Sequence, residues 1–304
     1  MLISLLSQWT WVNHSTTVSE GLPEPGSALL SLFAFNSVLK AGDRVVPVIP
    51  ADQETRRAIS QVKDYLPFTG FDFMDSHPEV PTRFIHRKWE SGDWLDEPVT
   101  VADPAIELSI PAETDLIYLS VETPQDLSVS DLKQIRAYYP SAFIYADLQM
   151  LPGSFFKRSR LGEDRVKEDL QTLFDSVDAI QVNQRELQQL FFSAGTTEKG
   201  LIRMALLEGK ARFMVVTRGS RGVVIWERIL GQIQSLILRP PAVHPDQQSA
   251  GCGHVFGPVF SAGLVRTQQV KSSAIKALNL AALAAAKENF SRKAEHIRLN
   301  GALL

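Results

Sequence analysis

Asp115-Leu116-Ile117-Tyr118-Leu119-Ser120-Val121 reads as a buried strand, since so short and apolar a run has little to present to water. Residues 130–139 then read as a helix begun by a Ser/Asp cap. Ala142-Phe143-Ile144-Tyr145-Ala146 is the next strand, ending at Asp147. Residues 163–176 form a charged amphipathic helix, and Ala179-Ile180-Gln181-Val182 a short strand ending at Asn183. Residues 185–192 and 200–207 look helical, and Arg212-Phe213-Met214-Val215-Val216-Thr217 is another strand. Such alternation implies parallel strands joined by crossover helices, an open α/β sheet. Sheets of this kind bind ligands at their carboxyl edge, where Asp147, Asn183 and Thr217 sit.

Working outward, residues 1–12 are apolar with no basic flank, and are read as a first buried strand rather than a signal peptide. Thr82-Arg83-Phe84-Ile85-His86-Arg87-Lys88-Trp89 alternates polar with apolar and runs into the turn Glu90-Ser91-Gly92-Asp93. This predicts a hairpin with one wet face at about residues 81–101, serving as a lid over a cleft or as a dimerisation edge. An Ala/Leu-rich helix is expected over residues 273–290. With no internal repeat or low-complexity linker, residues 1–304 are expected to form a single α/β domain carrying this lid.

The chain has 304 residues, 44% hydrophobic, enough for one large core. A net charge of -3 with both signs interspersed gives no electrostatic footprint for nucleic acid. No apolar run approaches the roughly 20 residues of a membrane span. The single cysteine excludes an internal disulfide framework and fits a reducing, cytoplasmic setting.

Ser249-Ala250-Gly251-Cys252-Gly253-His254-Val255-Phe256-Gly257 carries the chemistry. A glycine-rich turn opens into an apolar helix-like run, so backbone N–H groups and the helix's positive end converge on one point. That corner suits a phosphate. His254 stands at its rim, where phosphoryl transfer would favour a carboxylate base.

Taken with other motifs, these residues resemble the ribokinase-like (PfkB) carbohydrate kinase family. Pro25-Gly26-Ser27-Ala28 before an apolar helix is similar to the family's substrate loop, and Arg83 falls on its lid hairpin. Asn183-Gln184-Arg185-Glu186 matches the Asn-x-x-Glu motif associated with magnesium and phosphate, and Thr217-Arg218-Gly219-Ser220-Arg221-Gly222 the Thr-x-Gly-x-x-Gly turn beside the nucleotide. The Gly251–Gly253 turn falls on the family's anion hole, with Gln248 and His254 at two positions where aspartates are usual. The resemblance implies a ribokinase-like three-layer sandwich, with a mostly parallel sheet, helices on both faces and a small β lid. It also implies ATP-dependent phosphorylation of a sugar, nucleoside or related polyhydroxy compound, with magnesium.

Carried over residue by residue, Gly251, Cys252, Gly253 and His254 are the catalytic candidates. Asn183, Glu186, Thr217, Gly219, Gly222 and Asn279 are candidates for the nucleotide, with Glu186 reaching the metal through water. Gly26, Ser27 and Arg83 are candidates for the substrate. Alternatives stand beside each role. His254 is either a working base or the residue of a non-catalytic relative, a small-molecule sensor or partner-binding protein, where it caps a helix or holds an anion. Glu186 also suits a plain helix start, and Thr217 to Gly222 a plain turn between strands. Asn279 also suits core packing, and Arg83 the wet face of a hairpin. Cys252 with His254 invites an acyl-transfer pair, but no third orienting residue is evident, and small buried filler is the simpler reading. The remaining histidines, His14, His77, His86, His244 and His296, show no metal-ligand spacing.

Overall fold

The computed structural model describes residues 1–7, 10–14, 24–51, 53–71, 83–90, 93–98, 109–121, 127–148, 163–241, 251–286 and 290–300. In chain order, the first elements are β1 (Leu2–Ser7), β2 (Thr10–His14), β3 (Glu24–Pro25), α1 (Ser27–Asn36), β4 (Arg44–Val48) and α2 (Gln53–Val62). The hairpin strands β5 (Arg83–Glu90) and β6 (Asp93–Pro98) precede β7 (Leu116–Val121), α3 (Val129–Tyr138) and β8 (Phe143–Leu148). Next come α4 (Glu163–Ser176), β9 (Ala179–Asn183), α5 (Gln184–Ser193), α6 (Glu198–Arg203) and β10 (Phe213–Thr217). Strands β11 (Val223–Ile229) and β12 (Gln232–Leu238) lead to helices α7 (Gly253–Thr267), α8 (Val270–Ala285) and α9 (Phe290–Asn300).

Eight strands form one sheet in the order β12-β11-β10-β9-β8-β7-β1-β4. Neighbours are parallel from β10 across to β4, while β10–β11 and β11–β12 are antiparallel. Successive side chains on a strand face opposite ways, so one strand feeds two cores. On β7, Leu116 and Tyr118 enter the layer under α1, α7, α8 and α9, whereas Ile117 and Leu119 enter the layer under α3 to α6. A sheet covered on both faces explains why its strands read as unbroken apolar runs. The open α/β sheet expected from the alternating pattern, and the three-layer sandwich implied by the resemblance, are what the chain forms.

A second sheet has the order β3-β2-β5-β6. Strands β5 and β6 pair antiparallel, and β2 lies parallel to β5 with Thr10 opposite Arg83. Here the expectation for residues 1–12 needs correction, because that run divides between the two sheets. Residues 3–7 are buried in the large sheet between β7 and the edge strand β4, but Thr10-Trp11-Val12-Asn13-His14 mixes in polar residues and joins the small one.

The expected helix over residues 273–290 is also corrected: α8 runs from Val270 to Ala285, and α9 is a separate helix. Its early start follows from Gln268, whose φ of 57° closes α7 and redirects the chain. No helix among the described residues is long and apolar enough to cross a membrane.

Candidate active site

Gly251, at φ 78°, turns the chain into α7, with Cys252 as N-cap. The first turn is tight: the His254 and Val255 N–H groups donate to the Gly251 and Cys252 carbonyls at 3.1 and 3.2 Å. Gln248 lies outside the described residues.

Beside this turn opens a cleft of about 640 Å³, including its part open to solvent. One wall is the turn between β10 and β11, with Thr217, Gly219 and Gly222. Cys252, Gly253 and Phe256 form the second wall, and Leu278, Ala281 and Ala285 of α8 the third. Small side chains on α8 leave the width for a flat group between helix and turn. Asn279 is half-buried on the same helix and is not among the lining residues.

Behind the turn, buried polar groups tie α7 to the sheet. Gln181 of β9 donates through Nε2 to the Gly253 carbonyl at 3.1 Å and accepts from the Tyr145 hydroxyl at 2.8 Å. The Tyr118 hydroxyl donates to Asp147 Oδ2 at 3.2 Å, and that oxygen lies 3.9 Å from His254 Nδ1. Asp147 is 2% exposed and His254 8%. Burial, then the neighbouring Asp147 charge, pushes both Tyr118 and Tyr145 phenols well above their usual range, so both remain neutral donors.

Asn183 and Glu186 form a reciprocal cap on α5. Asn183 Oδ1 accepts from the Arg185 and Glu186 amides at 2.9 and 2.8 Å, and Glu186 Oε2 accepts from the Asn183 amide at 2.6 Å. Glu186 is nearly buried. No cluster of three or more His, Cys, Asp or Glu residues suited to a metal occurs among the described residues. The oxygen donors of Asn183 and Glu186 are of the kind that a magnesium ion takes, through water, beside phosphate oxygens.

Gly26 precedes α1 as its N-cap, and Ser27 is buried at the first turn. Helix α1 meets the candidate site at Ser31, whose hydroxyl donates to the His254 carbonyl at 3.3 Å. Arg83 begins β5 in the small sheet, and its side chain lies outside the described residues. Residues 217–222 and the 252–253 turn therefore meet at one cleft, and Ser31 of α1 touches His254. Gly26 and Ser27 are not among the residues lining that cleft. Asn183 and Glu186 stand at the end of β9, next to β10. Of this network, Asp147 was legible in the sequence as a strand-end residue at the carboxyl edge, though without a role, whereas Gln181 was not singled out. The signal for Gln181 was a polar residue inside the apolar strand Ala179-Ile180-Gln181-Val182.

No curated protein matches the sequence. Among solved structures, the chain is similar to the ribokinase of Arabidopsis thaliana complexed with ribose and ATP, at 14% identity and TM-score 0.70, covering 100% of this chain and 98% of that one. It is similar to ribokinase from Cryptococcus neoformans var. grubii serotype A in complex with ADP, at 14% identity and TM-score 0.69, covering 98% and 99%. It is also similar to aminoimidazole riboside kinase from Salmonella enterica, complexed with aminoimidazole riboside and an ATP analogue, at 12% identity and TM-score 0.68, covering 98% and 100%. These likenesses establish the ribokinase fold. The model for pfkB family carbohydrate kinases matches residues 107–296, more than half of the sequence, and the chain belongs to that family.

Proposed function

We propose that this chain transfers the terminal phosphoryl group of ATP to an alcohol group of a sugar or related small polyhydroxy compound. The observation carrying this reading is the cleft between the 217–222 turn and α8, closed at one end by the glycine turn that leads into His254. Thr217, Gly219 and Gly222 line the nucleotide's side, with Asn279 one helix turn from Ala282 on α8. Gly251, Cys252 and Gly253 receive the transferring phosphate, and Gly26, Ser27 and Arg83 serve the acceptor. The similar structures named above are complexed with ATP, ADP or an ATP analogue, which supports ATP as the donor.

Phosphoryl transfer asks mainly for alignment and charge neutralisation, plus one group to take the acceptor's proton. Backbone donors at a helix start meet the first need, and His254 is the group in place for the last. Asn183 and Glu186 would orient water around magnesium, which supplies charge neutralisation on the phosphates when bound. The single cysteine supports a cytoplasmic setting, and the β6 edge of the small sheet offers a surface for a homodimer.

A second reading, a pfkB-family sensor or partner-binding protein without turnover, is favoured by one observation: an imidazole instead of a carboxylate at position 254. Thermal unfolding with magnesium-ATP across a panel of sugars and nucleosides tests the first reading. Ligands that bind only the native state raise its melting temperature by mass action. A rise with nucleotide, enlarged by one acceptor, is expected; no rise at millimolar ATP contradicts the kinase reading. His254→Asp acquiring turnover where the parent chain has none would favour the sensor.

A further inference from the structure

The carboxylate missing from position 254 has a counterpart behind it. Asp147, at the end of β8, is 2% exposed, and its Oδ2 lies 3.9 Å from His254 Nδ1. A buried carboxylate needs compensation by hydrogen bonds or opposite charge. Tyr118 supplies one hydrogen bond to the same oxygen. His254 supplies a ring that can become a cation.

We propose that Asp147 is the positioning residue of His254: it holds Nδ1 as the protonated ring nitrogen, so that the imidazole takes the acceptor's proton through Nε2. The negative charge that a carboxylate base would have brought to the phosphate then stands one residue further back, relayed through the ring. The separation is an ion-pair distance, longer than a hydrogen bond; catalytic contacts of this kind tighten when substrate fills the site. The pairing also answers an electrostatic difficulty. The first turn of α7 carries the helix's positive end, which opposes an imidazolium, and a buried carboxylate nearby offsets that opposition.

Tyr118 from β7 and Tyr145 from β8 face Asp147 as neutral phenols, and Cys252 stands two residues before His254 in the same turn. Helix α1 contributes the uncharged Ser31. In the transfer step, the acceptor oxygen forms a bond to the terminal phosphorus of ATP while its proton passes to Nε2. The bond from that phosphorus to the bridging oxygen breaks, ADP leaves with the electron pair, and the imidazolium, held by Asp147, later releases its proton to solvent. The proton's source rests on the kinase reading above; the pairing does not.

Long-range proton–nitrogen NMR of the full chain tests the pairing directly, with the His254 signals assigned by their loss in His254→Gln. Neutral His254 is expected as the Nδ1–H tautomer, and in Asp147→Asn its pKa is expected to fall by about one unit or more. An Nε2–H tautomer in the parent chain, or an unchanged titration in Asp147→Asn, overturns the proposal. The tautomer decides by itself should Asp147→Asn fail to fold.

In a phosphoryl-transfer assay, Asp147→Asn should lower kcat about 100-fold with the KM for ATP nearly constant. The acid limb of its pH profile should move to lower pH, because a weaker base stays unprotonated further down. An unchanged kcat and limb overturn the proposal. A chain that transfers phosphate to no acceptor yet shows the Nδ1–H tautomer and the shifted titration keeps the pairing and loses the kinase reading.

Discussion

At Gly257, α7 packs closely against the sheet. A Cβ there would run into the Tyr118 hydroxyl and stand 2.9 Å from Gln181 Oε1. In an exposed helix Gly→Ala gains about 1 kcal/mol of propensity, but overpacking against a fully buried phenol costs about 1–3 kcal/mol. Gly257→Ala is therefore expected to be net destabilising, seen as a lower melting temperature, and an increase would contradict the close packing described here. The two phenols have their own signature. Their raised pKa means that the unfolded chain loses these protons near pH 10 while the native state retains them. Their contribution is fully present below pH 10 and is lost as pH rises through the folded pKa values. Stability should thus fall with pH above 10, and an ultraviolet titration of native protein should leave two tyrosines un-ionised there.

Helices were legible where their chemistry is local. Asn183 and Glu186 announce the start of α5 by their spacing, and the helix expected at residues 130–139 behind a Ser/Asp cap forms one residue earlier, capped by Ser128 with Asp131. The end of α7 was not legible, because Gln268 adopts a left-handed conformation that its residue type does not advertise. Nor was the division of residues 1–12 between two sheets, since pairing with β5 depends on residues far along the chain. A further tie between distant elements is Asp43, just before β4, which pairs with Arg266 at the end of α7 and with the Met1 amine at 3.0 Å. Burial raises its pKa, but the Lys40 amide, the amine and Arg266 outweigh this and hold it below 3.8. A depressed folded pKa contributes stability that is present above the unfolded value and lost as pH falls through the folded one. Asp43→Asn is expected to destabilise by about 1–3 kcal/mol at neutral pH and to flatten the acid limb of the stability profile. Equal acid sensitivity in both proteins would contradict that role.

At the scale of the molecule, the alternation of strand and helix after residue 115 was enough to read an open α/β sheet, since β7 to β10 are mostly buried apolar runs separated by helices; the three-layer sandwich was implied by the family resemblance. The candidate site was legible only in part. Its glycine turn and strand-end residues are local patterns. The Asp147–His254 approach and the Gln181 bridge to Gly253 exist only because β8, β9 and α7 meet in three dimensions. Incubating the chain with magnesium and ATP labelled at the terminal phosphate, together with a pool of sugars and polyols, decides whether it is a kinase. Label is expected in a phosphate monoester formed alongside ADP, with its loss in His254→Ala. Label remaining in ATP across the whole pool, or equal transfer by His254→Ala, would contradict that expectation.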